Sequence, residues 1–121
     1  MKFFKDHVKP VADHYNYVLR HKWNIIGTGR KRGVPMKNLI MHDVDKLYNP
    51  KLIKAYSDFL YSPRGVRGAN DPKVYAKFRE QAVIHYKRSP HHAHKLGKPQ
   101  TYLQRQEAYA DWASVRKTLK Q

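Results

Sequence analysis

Cysteine is absent from this 121-residue chain. That excludes disulfides, thiolate nucleophiles and zinc–thiolate sites, so any metal must be held by nitrogen and oxygen. Acid is scarce as well: nine Asp+Glu stand against twenty-five Lys+Arg, a formal charge of +16. No apolar run approaches the roughly 18 residues that cross a bilayer, so no membrane span is expected. The opening Met1-Lys-Phe-Phe-Lys-Asp-His7 carries no apolar core of a secretory signal, and with the missing cysteines this gives the expectation of a cytoplasmic protein. Strand-length alternation of β-branched and polar residues is missing throughout, and no internal repeat or low-complexity tract is present.

What remains reads as one all-α domain over residues 1–121 with about five helices. Residues 2–8 form a short lead-in. Pro10 suits a first helical turn and opens a helix to about Gly27. Along it His14, Val18, His21 and Ile25 fall on one inward stripe. Residues 27–33 read as a loop, and Pro35 precedes a short helix that ends at His42-Asp43. Asn49-Pro50 and Asp71-Pro72 are each a cap followed by a first-turn proline. The first opens a helix with Leu52, Ile53, Tyr56, Phe59 and Leu60 on one face. The second opens one with Tyr75, Phe78, Ala82 and His85 aligned. Ser89-Pro90 stops that helix, 91–99 is a turn region, and a last helix over about 101–119 is expected to bury Leu103, Ala108, Trp112, Val115 and Leu119.

The chemistry lies in a set of histidines and aspartates in the order His21, His42-Asp43, His85, His91-His92, Asp111. These are ligand types for divalent transition metals. The layout draws them from several helices and helix ends, as metal centres in helical bundles do. A half-buried histidine is more often a satisfied core residue than a ligand, so the argument rests on the conjunction. His14, one heptad before His21 on the same face, is a rival first ligand. Mixed His/Asp ligation suits Mn, Fe, Co, Ni or Zn better than Ca, as one ion or two. Lys46, three residues after Asp43, offers a positive charge where a phosphate could dock.

The basic excess is spread along the chain and forms no tail, so it belongs to the folded domain. It favours a phosphate-bearing partner, a nucleotide or nucleic acid. Arg64, Arg67, Lys87 and Arg88, in loops or at a helix end beside proposed ligands, are the cations expected to meet substrate. Residues 27–33 hold three glycines in too loose a pattern to count as a phosphate loop.

At this point the residues resemble a known group. The His…His-Asp…Asp order is similar to the HD-domain superfamily of metal-dependent phosphohydrolases, and His-Asp-x-x-Lys with the later His and His-His is similar to its two-metal branches. Four stretches also resemble an uncharacterised HD-like family of phages and prokaryotes: Tyr17-Val-Leu-Arg-His-Lys22, His42-Asp-Val-Asp-Lys46, His85-Tyr-Lys-Arg-Ser-Pro-His-His92 and Ala110-Asp-Trp112. This chain departs from that pattern at Asp45, Ile84 and Ser89-Pro90, where serine, a second histidine and asparagine-rich residues are favoured. The resemblance implies an HD-like helical bundle, a divalent metal, a host cytoplasm if the gene is phage-borne, and His21 as first ligand.

An aspartate beside a histidine can bridge two ions about 3.5–4 Å apart and so help activate water. With Lys46 stabilising charge at phosphorus, the expectation is a phosphohydrolase acting on a nucleotide or similar small phosphate ester, with Asp43 and Lys46 as its catalytic residues. A nuclease using the same centre and a non-catalytic basic binding protein are the alternatives. Salt dependence separates the nuclease, and metal content separates the binder.

Overall fold

The computed structural model describes residues 2–121, and they are all-α: no strand occurs among them. After a π-helical turn, Phe4–Val8, come α1 (Lys9–Lys31), α2 (Met36–Met41), α3 (Asp45–Tyr48), α4 (Pro50–Leu60), α5 (Pro72–Arg88), a 3-10 helix (Pro90–Leu96) and α6 (Tyr102–Leu119). The α-helix beyond the expected five is α3, a single turn too short to carry its own periodicity.

The punctuation residues set most boundaries. Asn49 caps α4, its side chain accepting from the Lys51 and Leu52 amides, with Pro50 behind it. Thr101 and Gln104 form a reciprocal capping box at the start of α6. Gly97 ends the 3-10 helix at φ 70°, a left-handed turn that suits a residue without Cβ.

The first helix departs from expectation. It runs through Gly27-Thr28-Gly29 to Lys31 and closes at Gly33 (φ 79°). Tertiary contact outweighs the weak helical preference of glycine here. The Leu39 side chain packs where a Cβ on Gly29 would sit, and the Thr28 hydroxyl lies 3.2 Å from the Ala110 carbonyl. Ile25, Val34, Leu39 and Ala110 form the buried apolar cluster at this end.

The last helix departs further. Leu103, Trp112 and Leu119, expected to be buried, are 42%, 62% and 70% exposed. Its buried positions are Glu107, Ala110, Ser114 and Thr118. The inward stripe of α6 is polar, so an apolar pattern selects the wrong face. By contrast the α1 stripe is as expected: His14, Val18, His21 and Ile25 are all buried.

Contacts divide the chain into two compact units. The first comprises the chain up to Val18 together with Asp45–His85, and the second comprises Leu19–Val44 and Tyr86–Gln121. The first is aromatic. Phe78 stacks on Phe59 at 4.4 Å and meets Tyr56 at 4.9 Å, over the buried α4 face of Leu52, Ile53, Ala55 and Tyr56. The second combines the small aliphatic cluster with an interior of histidines and carboxylates. No helix of the described residues is long and apolar enough to cross a membrane.

Candidate metal centre

Four segments of the second unit build the site. α1 supplies His21, and the end of α2 supplies His42-Asp43. The 3-10 helix supplies His91-His92, and α6 supplies Glu107, Asp111 and Ser114. Asp43 has φ 51°, the left-handed region that aspartate tolerates better than most residues. A turn in that conformation places the carboxylate beside its neighbour's ring, with Asp43 Oδ2 3.3 Å from His42 Nε2. Lys22 holds the same turn from outside. Its ammonium donates to the His42 carbonyl at 3.1 Å and to the Ile40 carbonyl. Gln100 secures the 3-10 helix by donating to the Pro90 and His91 carbonyls.

The ring nitrogens turn inward. His21 Nε2 lies 2.8 Å from Asp111 Oδ1 and 3.4 Å from His42 Nε2. His42 Nε2 is also 3.4 Å from Asp111 Oδ1. On the other side His91 Nε2 sits 3.3 Å from Asp43 Oδ1 and 3.9 Å from Asp111 Oδ2. His92 Nε2 is 4.0 Å and 3.8 Å from the same two oxygens. Each aspartate therefore offers one oxygen to the pair His21–His42 and the other to the pair His91–His92.

The outward nitrogens are anchored. His42 Nδ1 and His91 Nδ1 both meet Glu107 Oε2, at 2.9 and 2.8 Å. His21 Nδ1 lies 3.0 Å from the Ser114 hydroxyl, which itself donates to the Asp111 carbonyl at 2.9 Å.

Electrostatics follow from packing so many acids and imidazoles together. Burial opposes charge on the His42 ring, but the Asp43 charge and hydrogen bonds with Asp111, Asp43 and Glu107 prevail and raise its pKa well above the usual histidine value. His91 is raised against burial by its bonds with Asp43 and Glu107. Burial would push Glu107 up, yet hydrogen bonds from His42 and His91 bring it down to about 2. Asp111 is held well below the carboxylate range, against its burial, by His21 and His42. The acids are thus anionic at neutral pH, the form in which carboxylates bind metal.

Three sets of ligand atoms lie close enough to hold an ion: His21, His42, Asp43 and Asp111; Asp43, His91 and His92; and His42, His91 and Glu107. The first two use inward-facing atoms and fit transition-metal ligation by donor type and spacing. The third is better read as hydrogen bonding, because two ring nitrogens within 2.9 Å of one carboxylate oxygen are at N–H···O distance.

Six of the seven expected ligands come together in this way. His85 does not join any set among the described residues. It lies in the first unit, where its Nδ1 is 2.7 Å from Asp45 Oδ2. Its α5 stripe aligns it with core aromatics, and burial there gave it a carboxylate partner instead. His14, the rival of His21, is also in the first unit. Its Nε2 donates to the Lys46 carbonyl at 2.8 Å, and burial lowers its pKa, so it is a neutral structural donor. Asp45 is itself buried against His85.

The expected substrate cations divide in the same way. Lys46 belongs to the first unit, with its Nζ 5.3 Å from the Tyr56 ring centre. Arg64 is bound to Asp58 at 2.7 Å and to the Asp6 carbonyl, and Arg67 donates to the Leu60 carbonyl. Those two arginines are therefore engaged in tying down a loop. Lys87 and Arg88 are exposed and lie in the second unit, just ahead of the 3-10 helix. A cleft of about 390 Å³ in the first unit, lined by residues such as Tyr15, Tyr48 and Ile53, contains none of the ligands.

Sequence reasoning missed Glu107, Ser114 and Lys22. Glu107 is one of two glutamates in the chain and stands one helical turn before Asp111, so a test of i, i+4 acids on the last helix would have found it. Ser114 and Lys22 carried no distinguishing signal beyond their nearness to Asp111 and His21.

Compared with known proteins, the chain matches over residues 10–121 a family of unknown function, DUF5662. No curated protein and no solved structure matches it.

Proposed function

Since the chain belongs to DUF5662, a family without an assigned activity, its chemistry has to be argued from the site, and we propose a metal-dependent phosphohydrolase acting on a nucleotide or similar small phosphate ester. One observation carries the reading. Four histidine Nε2 atoms and both oxygens of two aspartates, Asp43 buried and Asp111 half-buried, converge within a single unit, in two sets that share Asp43. Such a concentration of ligands is costly to bury unless it is satisfied, and a cation satisfies it.

His21, His42, Asp43 and Asp111 hold one divalent transition ion, and His91 and His92, with the opposite aspartate oxygens, hold a second. Bound there, Mn, Fe, Co, Ni or Zn supplies Lewis acidity toward a phosphoryl oxygen and a nucleophile from water near neutral pH. Asp111, kept anionic, and Asp43 offset the ionic charge and fix the ligand frame. Lys87 and Arg88 supply positive charge for an anionic substrate, and the +16 chain draws such substrates in.

The same excess charge favours a second reading, a nuclease using this centre on nucleic acid. Elemental analysis of the purified protein, followed by nucleotide, phosphomonoester and oligonucleotide substrates with each ion, tests both. Ion-dependent release of phosphate from small esters is the expected result. Turnover confined to oligonucleotides, falling steeply with salt, supports the nuclease. A protein that neither binds nor is stabilised by any of these ions overturns both readings.

A further inference from the structure

Glu107 is one turn from Asp111 on α6, and it points a single oxygen at two rings. Oε2 lies 2.9 Å from His42 Nδ1 and 2.8 Å from His91 Nδ1. The two imidazoles are 4.2 Å apart between ring centres and inclined by 31°. An ionised carboxylate can only accept, so both Nδ1 atoms carry hydrogen. Both Nε2 atoms then face the aspartates: His42 toward Asp43 Oδ2 and Asp111 Oδ1, His91 toward Asp43 Oδ1 and Asp111 Oδ2. His91 Nε2 is buried and aimed at those carboxylates, 3.3 Å from Asp43 Oδ1.

We infer that Glu107 is a positioning residue for both halves of the metal centre at once, fixing one histidine of each ligand set through a single oxygen. The inference rests on the metal-binding reading above. Glu107 acts through the rings: it sets their tautomer, restrains their rotation and raises the basicity of their Nε2 atoms. Ser114 is the contrast, since its hydroxyl meets His21 alone and so serves one set. Losing Glu107 therefore weakens two ion positions together, whereas losing Ser114 weakens one.

The test is a Co²⁺ titration of the full chain by calorimetry and visible absorption, for the wild type, Glu107→Gln and Ser114→Ala. Ring ¹H–¹⁵N correlation spectra of the Zn²⁺-loaded wild type accompany it. Two Co²⁺ per wild-type chain are expected. Both binding steps should weaken by about 10–100-fold in Glu107→Gln, the usual effect of losing a group behind a ligand, and a single step should weaken in Ser114→Ala. The spectra should show Nδ1-protonated His42 and His91. A wild type that takes up neither ion overturns the metal-binding reading itself. Metal-binding wild type with an unchanged Glu107→Gln, or with one weakened step, overturns the role of Glu107 alone. Should Glu107→Gln fail to fold by circular dichroism, the spectra decide: coordination through Nδ1 of His42 or His91 overturns the inference, and Nδ1 protonation of both upholds it.

Discussion

Both units bury histidines, and they use them differently. In the first, His14 Nε2 meets a backbone carbonyl and His85 Nδ1 meets the Asp45 carboxylate, and neither ring joins a ligand set. In the second, His21, His42 and His91 are held from behind by Ser114 or Glu107, and their opposite nitrogens, together with that of His92, meet around Asp43 and Asp111. Burial alone is therefore a poor sign of ligation. The informative feature is a ring gripped at one nitrogen while the other faces further ligand atoms, as metal-binding imidazoles are.

The largest expected effect breaks this contrast at its centre. Asp43→Ala removes a carboxylate shared by both ligand sets, so Co²⁺ or Zn²⁺ affinity should fall well beyond the roughly 10–100-fold of a lost supporting group. His85→Ala should leave ion affinity unchanged. Equal losses in the two variants, read by calorimetry, would erase the distinction between the units.

Lys46 comes next. If it holds a phosphate oxygen, as its place three residues after Asp43 suggested, Lys46→Ala should keep its metal and lose about 10²–10³ in turnover. Near-normal turnover with the ion bound would assign Lys46 to the structure of the first unit. The stability of His85→Ala sharpens the comparison from the other side. Removing the ring leaves Asp45 Oδ2 without its 2.7 Å donor in a buried place. A loss of about 1–3 kcal/mol is expected by urea denaturation, with no metal dependence.

pH separates the units further. In the metal-free protein His42 and His91 have raised pKa values, so their contribution to stability is complete below the unfolded value of about 6.5 and is lost as pH rises through the folded values. Glu107, lowered to about 2, contributes above its unfolded value near 4.5, and that contribution disappears as pH falls toward 2. An ion must displace the imidazole protons, so its stabilising effect should grow with pH across the interval where the metal-free protein weakens. Melting curves from pH 5 to 9, with and without Zn²⁺, should diverge upward. The smallest effect concerns Trp112, which is 62% exposed. Trp112→Ala should cost far less than the about 3–5 kcal/mol of a core tryptophan.

The sequence revealed the helical class and the proline and asparagine boundaries, and it picked out six of the side chains that gather in the candidate centre, because each has a local chemical signature. The α1 stripe was legible since Val18 and Ile25 mark its inward face. The buried α6 positions, Glu107, Ala110, Ser114 and Thr118, have alanine as their one apolar member, so hydrophobic periodicity pointed to Trp112 and Leu119 instead. His85 stands outside the three ligand sets, and the sequence could not separate it from them because a ligand histidine and a core histidine paired with an acid look alike on one helix face. The passage of α1 through two glycines rests on Leu39, across the following turn, and on Ala110, 82 residues from Thr28.

Asp43 answers to two selections at once. Its left-handed backbone, φ 51°, is comfortable for glycine, asparagine and aspartate and strained for β-branched or bulky residues. Its oxygens face histidines on both sides, which among those three suits aspartate alone. A saturation library at position 43 sorted for folding should return Gly, Asn and Asp, and the same library sorted for ion capture should collapse to Asp. The difference between the two survivors' lists would separate what the turn requires from what the chemistry requires.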